Sequence, residues 1–160
     1  MLYPFFSYLK FLIQSTNQHG VHSPFVYNFV TKGLYKKSQK SSLIEQNVEL
    51  QKLSKKKVKI LSKIINYFEV EQIYFASDKV KNTENDNFKI VFINVDELQF
   101  IDLKKDLIII ITDIYKKKQN TSTWLNFIKD TENIVTVNNY FYGLIFLRPE
   151  QAKEHFIIRV

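Results

Sequence analysis

Cysteine is absent from this sequence. That excludes a disulfide framework, a thiolate metal centre and a cysteine nucleophile. It fits a reducing compartment, and a cytoplasmic location is expected. Glycine and proline occur only three times each, so few positions allow the backbone to close tightly around a phosphate. Arginine stands only at Arg148 and Arg159, which leaves no arginine-rich motif of the kind that reads nucleic acid. No apolar run approaches the roughly 20 residues that cross a bilayer, and no membrane span is expected. Internal repeats and low-complexity boundaries are also missing.

What is present is an ordinary globular balance. The 160 residues are 45% apolar and 24% charged, enough for one domain with a core of its own. Residues 1–70 read as a helical amino-terminal part, and residues 71–160 as a sheet part. Aromatics are plentiful, with 14 Phe and 9 Tyr. The net charge of +7 permits an acidic partner without identifying one.

The organising stretch is DLIIIITDIY, Asp106 to Tyr115. Leu107 to Ile111 are five consecutive apolar residues bounded by charge. A half-buried strand would alternate, so this pattern predicts a strand covered on both faces. Such strands belong to sheets flanked by helices, hence an α/β fold. In open α/β sheets ligands bind beyond the carboxyl ends of the strands. Thr112, Asp113 and Tyr115 stand at that end, and Asp113 and Tyr115 are candidates for holding a ligand or a partner's loop. Further strands are expected at Gln72–Ala76 and Lys89–Val95. A closing hairpin is expected from Asn133–Val137 and Tyr142–Leu147, turning through Asn138 to Phe141. The tail EHFIIRV is expected to extend or pack against the second hairpin strand.

Helical spacing marks the rest. Phe5, Leu9, Leu12 and Ile13 predict one face of an amino-terminal helix that docks on the core, with Gly20 as its end. The same pattern allows peripheral membrane contact, but the segment carries few cations for that role. Ser23-Pro24 predicts a helix start with Ser23 as cap, continued by Phe25, Phe29 and Val30. His19 and His22 are spaced like a metal pair, but no third ligand lies nearby, so turn histidines and no metal are expected, and both are kept beside Asp113 and Tyr115 as candidates for a ligand or partner site. Residues 43–68 predict one or two helices with Leu61, Ile64, Ile65 and Phe68 inward. Lys55, Lys56, Lys57, Lys59 and Lys63 make that segment basic: a solvated face, or alternatively a phosphate-binding patch. About two turns are expected within Asp96–Lys105, with Leu98, Ile101 and Leu103 inward. A helix is expected over Ser122–Asp130, capped by Thr121 or Ser122, with Trp124, Leu125 and Ile128 as its apolar side.

Two blocks carry a resemblance. QHGVHSPFVYNFVTKGLY resembles the amino-terminal signature of a group of bacterial class I S-adenosylmethionine-dependent methyltransferase-like proteins. The apolar strand ending in TDIY, Trp124 in the next helix, and YGLIFLRPEQAKEHFIIRV resemble the carboxyl end of the same group. Together the blocks span roughly half of the chain. The resemblance implies a Rossmann-like sheet, here truncated, that ends in an antiparallel hairpin beside the DLIIIITDIY strand. It names S-adenosylmethionine as the family's cofactor.

The departures from that family are chemical. A class I methyltransferase needs glycines after its first strand, because the backbone must approach the cofactor closely. Here QIYFA is followed by Ser77, Asp78 and Lys79, a degenerate cofactor position with no glycine. The second strand, whose acid would hold the ribose, has no counterpart. About a dozen residues separate QIYFA from KIVFINV, the lower limit for a parallel crossover. In the family the strand before the hairpin ends in two acids, an aromatic and a serine; here Thr112-Asp113-Ile114-Tyr115-Lys116 keeps one acid and no serine. The expectation is a degenerate methyltransferase-like protein without cofactor or catalysis, kept for a structural or partner-binding role. Its partner would be another protein or a second copy. The alternatives are an active transferase with an atypical cofactor site and a small basic nucleic-acid-binding protein.

Overall fold

The computed structural model describes residues 2–75, 88–101, 103–104 and 107–160. Six strands form one mixed sheet in the order β1-β2-β3-β5-β4-β6. They are β1 (Gln72–Phe75), β2 (Lys89–Asn94), β3 (Leu107–Thr112), β4 (Ile134–Asn138), β5 (Gly143–Leu147) and β6 (Glu154–Ile157). β1, β2 and β3 run parallel, in a register that sets Gln72 beside Lys89 and Lys89 beside Leu107. β5 lies antiparallel between β3 and β4, and β6 adds a parallel edge to β4. The hairpin therefore stands beside the DLIIIITDIY strand, as expected. The tail does not extend β5: it forms β6, paired with the other hairpin strand. Ser77, Asp78 and Lys79 lie outside the described residues.

β3 is buried along Leu107 to Ile111 because both faces are covered. Ile108 and Ile110 enter a core with Phe29, Leu34, Leu61 and Ile64. Leu107, Ile109 and Ile111 enter a second core with Leu98, Ile114 and Trp124. The first cover comes from α2 (Pro24–Asn28), which runs on into a π turn over Phe29–Leu34, and from α5 (Lys55–Tyr67). The second comes from a 3-10 helix, Val95–Phe100, and from α6 (Lys118–Asp130). Two short helices, α3 (Ser42–Glu45) and α4 (Val48–Gln51), precede α5. Each has a side-chain cap that breaks the chain into pieces: Ser41 accepts from Leu43 N–H, Asn47 from Glu49 and Leu50 N–H, and Ser54 from Lys57 N–H. The segment 43–68 is thus three helices, with Leu61, Ile64, Ile65 and Phe68 buried as the spacing requires.

Further expectations need correction. The amino-terminal helix α1 (Tyr3–Gln14) ends well before Gly20, because Ser15 turns extended and Thr16 bridges Ile158. Its buried positions are Ser7 and Phe11, while Phe5, Leu9 and Ile13 are exposed. Helix α6 starts at Lys118, so Thr121 and Ser122 are not its cap. The Thr121 hydroxyl instead donates to the Ile114 carbonyl at 2.8 Å, and Leu125 on this helix is exposed. The cap at Ser23 holds: its hydroxyl accepts from Val26 N–H at 3.4 Å, with Pro24 in the first turn.

Candidate functional site at the carboxyl end of β3

The chain reverses sharply after β3. Asp113 takes a left-handed backbone, φ 60°, which aspartate tolerates better than most residues. The turn is held from three sides. The Asp113 carbonyl accepts from Lys116 N–H at 3.2 Å and from the Asn120 amide at 2.9 Å. Its carboxylate pairs with the Lys116 ammonium at 3.3 Å. Each of these contacts serves the turn and the start of α6.

Tyr115 leaves that turn and stacks on Tyr140, with ring centroids 4.8 Å apart and planes 13° from parallel. Tyr140 sits at the hairpin tip with φ 71°. Asn138 makes that tip possible, because its side-chain oxygen accepts from Tyr140 N–H at 3.0 Å. The Asn138 amide group also donates to the Tyr115 hydroxyl at 2.5 Å. From α1, Phe11 approaches both rings at 6.4 and 5.4 Å, and Tyr8 meets Tyr140 edge-on at 4.9 Å. The Tyr140 hydroxyl donates to the Pro4 carbonyl at 2.8 Å. An aromatic cluster drawn from three segments thus fills the space beyond β3. Burial pushes the phenols of Tyr115 and Tyr140 up from their ordinary value, so both are neutral donors and acceptors and not bases.

Two openings flank the cluster. A shallow groove of about 210 Å³ is lined by Pro4, Lys57, Asp113, Lys116, Tyr140 and Phe141. A narrow cleft of about 70 Å³ runs under α1 past Ser7, Tyr115, Trp124, Asn138 and His155. In that cleft the His155 ring lies 2.7 Å from the Thr136 hydroxyl and 6.2 Å from the Trp124 ring. Burial lowers its pKa to about 4, so the imidazole is neutral near pH 7. A hydroxyl beside an imidazole can form an activated nucleophile. Thr136, however, is fully buried within β4, and no substrate carbonyl can reach its hydroxyl.

The other residues singled out by sequence lie elsewhere. His19 sits in a single 3-10 turn, Gln18–Gly20, and its N–H donates to the Asn17 side-chain oxygen at 3.0 Å. His19 and His22 are both exposed. Among the described residues no group of three or more His, Cys, Asp or Glu side chains could hold a metal. The α5 lysines are dispersed. Lys56 covers the Phe141 ring at 4.8 Å, Lys63 donates to the Leu34 carbonyl, and Lys55 and Lys59 border an open groove with Lys40. Sequence reasoning found Asp113 and Tyr115 but not Tyr140, Asn138 or His155. The one signal for the first two was the polar turn between the hairpin strands, and nothing local pairs that turn with Tyr115. No protein-family model matches the chain, and no curated protein and no solved structure matches it.

Proposed function

We propose that this chain is a degenerate, Rossmann-like member of the S-adenosylmethionine-dependent methyltransferase-like proteins. It neither binds that cofactor nor transfers a methyl group, and its fold is kept in the cytoplasm for a binding or structural role. The observation that carries the reading is the filled tip of β3. In an open α/β sheet the carboxyl ends of the strands are where ligands sit, and here Phe11, Tyr115 and Tyr140 occupy that space themselves. The carboxylate that ends β3, Asp113, is tied to Lys116 and to its own turn. The order of three parallel strands followed by an inserted antiparallel strand agrees with the truncated sheet that the resemblance implies. The missing glycine after QIYFA argues the same way from steric grounds.

Calorimetric titration of the purified chain with S-adenosylmethionine and S-adenosylhomocysteine tests this. The expected result is no saturable heat at micromolar protein. A micromolar dissociation constant, lost in Asp113→Ala, would overturn the proposal in favour of an active transferase with an unusual site.

A further inference from the structure

We propose that α1 is a membrane-surface anchor, its exposed apolar stripe seated in the interfacial layer of an anionic bilayer. The helix has two faces. Ser7 and Phe11 turn inward, toward Tyr140 and the cleft under the helix. Leu2, Phe5, Phe6, Leu9 and Ile13 are exposed, Leu2 by 71% and Ile13 by 85%. At about 100° per residue these five fall within an arc of roughly 100° centred opposite the buried pair. Single exposed apolar side chains are commonplace, but five in one stripe on one helix mark a surface that meets something apolar.

Charge around the stripe identifies the partner. The sequence has no acidic residue before Glu45, so α1 carries Lys10 and no carboxylate. At its carboxyl end the Arg159 guanidinium donates to the Leu12 carbonyl at 2.6 Å and to the Ser15 hydroxyl at 3.1 Å. At its amino end Pro4 shares a groove with Lys57 and Lys116, and Lys56 stands over the neighbouring Phe141 ring. Among the described residues Asp113 is the one acid lining that groove, and it is already paired with Lys116. The segment alone offers one cation; the fold brings others from α5 and from Arg159, just after β6.

An apolar stripe with aromatic side chains, on a helix with cations near both of its ends, complements anionic lipid. Acyl chains accept Phe5, Phe6, Leu9 and Ile13, while headgroup phosphates meet the lysines. A second copy of the chain would instead bring the same cations face to face, and like charges opposed across an interface disfavour it. The inference stands apart from cofactor binding and concerns a different face of α1.

Vesicle flotation with the full chain tests it. The probes are phosphatidylcholine vesicles and vesicles of equal parts phosphatidylcholine and phosphatidylglycerol. The protein is expected to float with the anionic vesicles, to stay behind with the neutral ones, and to release as salt rises. Phe5→Ser, Leu9→Ser and Ile13→Ser combined touch no buried position, so the circular dichroism spectrum should persist while vesicle affinity falls at least about tenfold. Lys10→Glu with Lys57→Glu should weaken binding by about fivefold or more per site. Absence of binding to anionic vesicles, or undiminished binding by the triple serine variant, would overturn the proposal. A dimer seen by sedimentation and abolished by the serine variant would assign the stripe to a second copy and overturn it equally.

Discussion

Acidification should destabilise this protein through His155. Its ring lies in the cleft beneath α1, against Trp124 and 2.7 Å from the Thr136 hydroxyl, where little water remains to solvate an imidazolium. Its folded pKa is therefore lowered from 6.5 to about 4. Above pH 6.5 the group is neutral in both folded and unfolded chains, and its contribution to stability is fully present. As pH falls, the unfolded chain takes up the proton first, so stability is lost between about 6.5 and 4 and then levels off. The difference, 6.5 minus about 4, is about 2.5 pK units. At about 1.36 kcal/mol per unit this amounts to about 3 kcal/mol, an upper value because the ring is not fully enclosed. Urea unfolding followed by Trp124 fluorescence, from about pH 7.5 down to about pH 4.5, measures it against His155→Gln. Every other side chain is common to both proteins, so the gap between the two curves isolates His155. Parallel curves across that window would refute the reasoning.

Two further outcomes follow from packing and capping. Gly143→Ala should destabilise by about 1–3 kcal/mol, because the added Cβ would stand 2.7 Å from the Ile114 terminal methyl and 3.0 Å from the Trp124 ring, and both buried groups would have to shift; a lower urea midpoint reads it. Ser23→Ala should cost about 1 kcal/mol through the cap lost at Val26 N–H, read as a lower urea midpoint.

Much of the sheet was legible because its signal is local. Leu107 to Ile111 announce double-sided burial in five residues, and the hairpin strands frame a turn rich in asparagine. The direction of β1 against β2 was not legible, since a linker near the lower limit for a crossover fits either sense; they run parallel. Helix α1 shows a deeper limit. Apolar spacing locates a stripe but does not say which way it points. Here the apolar side faces out: Phe11 packs on Tyr115 and Tyr140, and Ser7 is tolerated inward because its hydroxyl donates to the Tyr3 carbonyl at 2.7 Å. The candidate site was half legible for the same reason. Asp113 and Tyr115 stand at a strand end that sequence locates, but the stack of Tyr115 on Tyr140 and the gathering of Lys57 and Arg159 around α1 join residues far apart in the chain.

The stitching of α1 to the far end of the chain has a consequence for biosynthesis. Thr16 N–H donates to the Ile157 carbonyl, Arg159 N–H returns the bond to Thr16, and Arg159 and Ser15 are 144 positions apart. Until residues 154–159 have been made, α1 has no strand to tie to. At roughly 5–20 residues per second this leaves a helix with an apolar stripe waiting on the order of ten seconds beside the ribosome. During that interval Ser7 and Phe11, buried in the finished fold, lack the cover that the hairpin tip and the tail later supply.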